Sequence, residues 1–76
     1  MSLGYSVRVY KLNEAADASS TGVRLGRVCL ARDISAVEAA TRLKVSRQTI
    51  YNWFCGRNQP HATARAAIED YLAQLG

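Results

Sequence analysis

The stretch from Ser35 to Gly56, SAVEAATRLKVSRQTIYNWFCG, leaves the chain little freedom. Ser35 has the chemistry of a helix N-cap, and Glu38 stands where a capping box places its acid. Ala39, Ala40 and Leu43 follow at helical spacing. Ser46 is a second N-cap candidate, and only Lys44 and Val45 separate it from Leu43. Ile50 and Trp53 give the segment after Ser46 one apolar stripe, and Gly56 sits where a helix-ending glycine belongs. The stretch therefore reads as helix, tight turn, helix. Ala39 and Ala40 are small enough to let the second helix cross close to the first. Val45, an apolar residue in a short turn, is suited to plug the angle between them. That combination is the signature of a helix-turn-helix.

The helix after Ser46 has two faces. Thr49, Ile50 and Trp53 turn toward the protein, whereas Arg47, Gln48, Tyr51 and Asn52 turn toward solvent. The outer face thus holds planar hydrogen-bonding side chains at the N-terminal end of a helix, which is what reading base edges in a major groove requires. The Arg47 fork suits guanine O6 and N7, and the Gln48 amide suits adenine N6 and N7. Asn52 could read another base or hold a phosphate. Tyr51 could pack on a thymine methyl or give its hydroxyl to a phosphate. The alternative for each is an ordinary exposed helix residue.

On Ala40, Leu43, Val45, Ile50, Trp53 and Gly56, followed by the basic Arg57 and by Pro60, the segment resembles the helix-turn-helix of the phage Cro/repressor family, also called Xre-like. The resemblance extends in outline from about Val23 to Leu75, as a pattern of helices. It implies that Arg47, Gln48 and Asn52 occupy base-reading positions, and that the loop carrying Arg57 and Asn58 lies along the DNA backbone. Phosphate contacts are expected from Arg42, Lys44, Ser46, Thr49, Arg57 and Asn58. Lys44 is a departure, because the family usually has glycine in the turn. A non-glycine residue held in the left-handed conformation costs about 1–2 kcal/mol.

The implied function is a sequence-specific regulator of transcription on double-stranded DNA. The expected form is a dimeric repressor of phage or bacterial origin, working in the bacterial cytoplasm on a palindromic operator. An antitoxin or restriction-modification control protein with the same module is one rival. A helical protein-interaction domain whose basic face meets an acidic partner is the other.

The placement of charge supports the first reading more than its net value of +4 does. No acid occurs from Ala39 through Ile68, a stretch that carries Arg42, Lys44, Arg47, Arg57 and Arg65. The acids lie toward the ends, at Glu14, Asp17, Asp33, Glu38, Glu69 and Asp70. Alone, a basic block is as readily a solvated surface. Coinciding with a helix-turn-helix, it reads as a phosphate-facing side. Arg24, Arg27 and Arg32 are expected in solvent rather than on DNA, with one phosphate contact among them as the alternative.

Around this motif the sequence predicts a small, mainly α domain of four helices with one N-terminal β-strand. Tyr5 to Leu12, YSVRVYKL, is rich in β-branched and aromatic residues and reads as a strand. A lone strand leaves its backbone groups unpaired, so pairing with its twin across a homodimer axis is expected; an extended arm is the alternative. Met1 to Leu3 suggest no role and read as a cloning remnant. Asn13 to Ser20 reads as a linker or loose turn, in which Glu14 and Asp17 allow a short helical turn. A helix from Ser20 or Thr21 to about Arg32 buries Val23, Leu25, Val28 and Cys29, and Ile34 is placed to staple the next helix. A last helix, from about Ala62 to Leu75, offers Ala64, Ile68, Tyr71, Leu72 and Leu75 as a core stripe. Trp53 is expected in the core, and Phe54 in the core under the last helix or, alternatively, at a subunit contact.

No apolar run approaches the ~20 residues of a membrane span. Cys29 and Cys55 read as small side chains in a reduced protein rather than a disulfide. The one histidine, His61, has no partner at catalytic or metal-ligand spacing. No catalytic residue, metal or cofactor is expected, and the chain reads as a binding domain, not an enzyme.

Overall fold

The computed structural model of the chain describes residues 5–76, so Met1 to Leu3 lie outside the described residues. Five helices follow one another: α1 (Val7–Ala15), α2 (Thr21–Arg32), α3 (Ala36–Leu43), α4 (Arg47–Phe54) and α5 (Ala62–Leu75). Helix α2 packs against α1, α4 and α5, and α3 packs against α4 and α5. The largest fully enclosed side chains are Phe54, Leu25, Ile50, Ile68, Val23 and Cys29. Each large one contributes about 1.5–3 kcal/mol relative to exposure. Trp53 and Tyr71 are also buried, and Val45 packs against the same cluster, as expected of a plug between α3 and α4. Among the described residues no helix is long and apolar enough to cross a membrane.

The expected strand over Tyr5 to Leu12 is a helix, and no described residue is in a strand. Ser6 caps α1, its Oγ accepting from the Val9 amide at 3.3 Å. Val9, Tyr10 and Asn13 fall on one helical face and turn toward the rest of the protein, while Val7 is 69% exposed. The β-branched valines suggested extended chain. The spacing of the buried residues is nevertheless helical, and tertiary packing overrides a weak propensity. Asn13 to Ala15, expected in a linker, complete the last turn of α1. Among the described residues, therefore, no strand edge is offered for pairing with a second copy.

Residues 16–20 make the turn into α2. Asp17 Oδ1 accepts from the Ser19 amide at 2.9 Å and from its hydroxyl at 2.8 Å. These bonds stabilise the charged form and hold the Asp17 carboxyl below its ordinary pKa.

Helices α2, α3 and α4 end in the same way. A residue with left-handed backbone follows each one, Asp33 (φ 55°) and Lys44 (φ 58°) directly and Gly56 (φ 76°) after the intervening Cys55. The next amide then reaches back into the last turn, Ile34 to Cys29 O at 2.9 Å, Val45 to Ala40 O at 3.0 Å and Arg57 to Asn52 O at 2.9 Å. This closure satisfies helix-terminal carbonyls that would otherwise lack partners. After α2 and α3 the residue that follows is apolar, and Ile34 and Val45 both pack on the core. That hydrophobic contact offsets the backbone strain at Asp33 and Lys44.

Close approach of α2 to α4 depends on two glycines. A methyl group added at Gly22 would stand 2.8 Å from Trp53 Cβ, and one at Gly26 would stand 2.9 Å from Phe54 Cγ. Gly22 and Gly26 lie one turn apart, so the backbone of α2 itself forms the surface on which Trp53 and Phe54 rest. The α2 helix would gain in propensity from alanine at either site, but the crossing leaves no room for it.

Candidate nucleic-acid interface

Helix α4 is oriented from within by Ile50, Trp53 and Phe54, all buried against α2 and the rest of the core. Ser46 begins it, with Oγ accepting from the Thr49 amide at 3.1 Å. The Ser46 and Thr49 hydroxyls also lie 2.9 Å apart. Burying one side of an eight-residue helix presents the other side outward. Arg47 and Gln48 are exposed and Asn52 is half-buried. Gln48 Nε2 donates to Asn52 Oδ1 at 3.1 Å, so these two amides stand one above the other as a unit. Each keeps hydrogen-bonding groups free for a partner.

Tyr51 is placed differently from its neighbours. It is half-buried, and its ring meets the Tyr5 ring edge-on, with centroids 6.3 Å apart. Tyr5 also contacts Tyr10 and Phe54 and donates its hydroxyl to Ile34 O at 2.7 Å. Burial raises the Tyr5 pKa far above its ordinary value, with smaller contributions from Cys29 and the neighbouring tyrosines. Much of the Tyr51 ring is therefore used to seat α1 beside α4.

The residues expected to meet phosphate are dispersed around α4. Lys44 is exposed in the turn before it. Arg57 and Asn58 are exposed in the loop after it and share a groove with Thr49 and Trp53. Arg42 is exposed, but its guanidinium lies over the Tyr71 ring at 5.7 Å. The structure thus brings Thr49, Arg57 and Asn58 to one groove beside α4, whereas Arg42, on α3, is drawn over Tyr71 of α5.

The three arginines of α2 are exposed, as expected, and each also makes a contact to another helix. Arg24 makes a two-pronged contact with Glu69 at 3.1 and 3.2 Å, the one ion pair among the described residues. Both partners are about half exposed, so the pair contributes at most about 1 kcal/mol. Arg27 donates to Glu14 O at 3.2 Å and Arg32 to Leu75 O at 2.8 Å. These carbonyls belong to the last turns of α1 and α5, where a cation is favoured.

Both cysteines are free, Cys29 buried and Cys55 half-buried. Burial, with a smaller effect from Glu38, pushes the Cys29 thiol up to about 11. Among the described residues no group of three or more His, Cys, Asp or Glu side chains could hold a metal ion.

Arg8, Tyr5 and Asn13 took no part in the expected site because their segment read as strand and linker. The usable signal was Ser6 followed by Val9, Tyr10 and Asn13, a cap and a helical stripe. Comparison with protein families, with characterised proteins and with solved structures finds no match for this chain.

Proposed function

We propose that this chain is a sequence-specific binder of double-stranded DNA that acts as a regulator of transcription, most simply by covering a promoter. The observation that carries the reading is the outward face of α4, where Arg47 stands beside the paired amides of Gln48 and Asn52. Arg47 supplies a bidentate donor for guanine, and Gln48 a donor-acceptor pair for adenine. Asn52 holds Gln48 in register and adds a second polar tip one turn deeper. Lys44, Ser46, Thr49, Arg57 and Asn58 are assigned to phosphates on either end of α4, and they position without specifying. Arg42, drawn onto Tyr71, is a weaker candidate for that role. Tyr51 serves mainly to fix α1.

The reading includes two subunits on a palindromic site, with half-sites about 10–10.5 bp apart or a multiple of that. With Val7 to Ala15 helical, the subunits would meet through helices. The test is selection of bound duplexes from a random pool, followed by sequencing. An enriched palindrome is the expected result, and its spacing reports the dimer geometry. Weak binding with no enriched sequence, abolished by moderate salt, would mean that the basic surface is non-specific.

A further inference from the structure

We propose that helix α1 is a second DNA-contacting element, with Arg8 holding a phosphate beside the recognition helix. This rests on the DNA-binding reading of α4 and extends it to an element outside the helix-turn-helix. A helix lying in the major groove, ~12 Å wide, has a phosphodiester strand on each side. Helix α4 is bordered by a groove on each side as well. One is walled by the loop after α4, with Asn58, Gln59 and His61 opposite Thr49. The other is walled by α1, with Arg8, Val9 and Leu12 opposite Gln48, Tyr51 and Cys55. Of the assigned phosphate contacts, Thr49 and Asn58 line the loop-side groove alone and Arg57 lines both grooves. The α1 flank has a single cation on α1 turned toward α4, and it is Arg8.

Three features of Arg8 support this role. It is exposed and makes no hydrogen bond or ion pair among the described residues, unlike Arg24, Arg27 and Arg32. It lines the same groove as Gln48, a residue assigned to base reading. Its helix is fixed relative to α4, because Tyr5 packs on Tyr51 and Asn13 donates to Phe54 O. A cation on a rigid mount loses less freedom on binding than one on a loose arm. Lys11 provides the internal contrast. It lies on the same helix with the same charge, but it lines neither the groove against α4 nor the one against α2.

The experiment titrates the protein against its selected duplex and a scrambled duplex of equal length, over roughly 50 to 200 mM salt. Arg8→Ala is expected to weaken both duplexes alike and to make the plot of log affinity against log salt shallower by about 0.9. Arg8→Lys is expected to keep the wild-type slope, and so is Lys11→Ala. Circular dichroism melts check that each variant is folded. A folded Arg8→Ala with wild-type affinity and slope overturns the proposal while leaving the role of α4 intact. Equal losses from Lys11→Ala also overturn it, since they would reflect overall charge and not position. If the wild-type protein binds no duplex at all, the DNA-binding reading fails first and takes this proposal with it.

Discussion

Asn13 Nδ2 donates to the carbonyl oxygen of Phe54 at 2.8 Å. The same nitrogen lies 3.2 Å from Val23 O, so one buried amide joins α1 to both α2 and α4. Phe54 closes α4, where carbonyls lack helical partners. Asn13→Ala leaves the Phe54 carbonyl buried without this donor and opens a small void. A loss of about 1–3 kcal/mol is expected, seen as a fall in Tm on the order of 10 °C for a domain of this size. A variant melting with the wild type would show that water replaces the amide at no cost.

The contact of Gly26 with Phe54 predicts an unusual response to alanine. In an exposed helix interior, Gly→Ala gains about 1 kcal/mol. At Gly26 the new methyl would meet Asn13 Nδ2 at 2.5 Å and the Phe54 backbone at 3.1 Å. Overpacking of this kind costs about 1–3 kcal/mol, so Gly26→Ala is expected to lower the urea midpoint. Gly22→Ala, 3.1 Å from Trp53 O, should do the same. An increase in either midpoint would show that α2 and α4 can separate more easily than their packing implies.

Lys44 should have opposite effects on stability and binding. Its left-handed backbone costs about 1–2 kcal/mol; glycine, with no Cβ, removes that strain, and its greater freedom in the unfolded chain takes back part of the gain. Lys44→Gly is therefore expected to stabilise by about 0.5–1 kcal/mol. If Lys44 meets a phosphate, the same variant binds DNA more weakly at every sequence. Thermal melts and binding isotherms on one preparation separate the two effects.

Base reading and phosphate contact are distinguished by their response to sequence. Arg47→Ala is expected to cost about 1–3 kcal/mol and relax preference at one base pair, whereas Arg57→Ala should weaken all duplexes alike. Identical behaviour of the two variants across a panel of single-base changes would contradict the roles assigned to them.

Stability should decline in alkali. The folded Cys29 thiol titrates at about 11, against 9.0 as its ordinary value. Burial raises Tyr5 and Tyr71 in the same direction. For these groups the unfolded chain loses its proton at lower pH than the folded one. Their contribution is therefore fully present below about pH 9 and is lost as pH rises toward 11. Urea midpoints across this range should fall steadily. In native protein near neutral pH, a thiol reagent should modify Cys55 well before Cys29.

Four of the five helices were legible because their boundaries are written locally. Ser20, Ser35 and Ser46 stand at the N-caps found, and the last helix starts at Ala62 as its stripe implied. The inward face of α4 was also legible, since Ile50 and Trp53 can share only one side. Helix α1 was not, because its decisive residue acts at a distance. Asn13 is polar, and what makes it buried are carbonyls 10 and 41 positions away. The Gly22 and Gly26 pair was visible, but its meaning depends on which helix crosses there. The turn at Lys44 shows a different limit. The sequence marked it as strained, and only the packing of Val45 shows how that strain is offset.

The attachment of α1 at both ends has a dynamic consequence. Before the helix, Tyr5 reaches Ile34 O; near its end, Asn13 reaches Val23 O and Phe54 O. Val7, Arg8 and Lys11, which lie between these anchors, are exposed. Segments held in this way open as cooperative units, below the free energy of global unfolding. Helix α1 is latched onto the other four, and loss of either latch releases its backbone amides to exchange together.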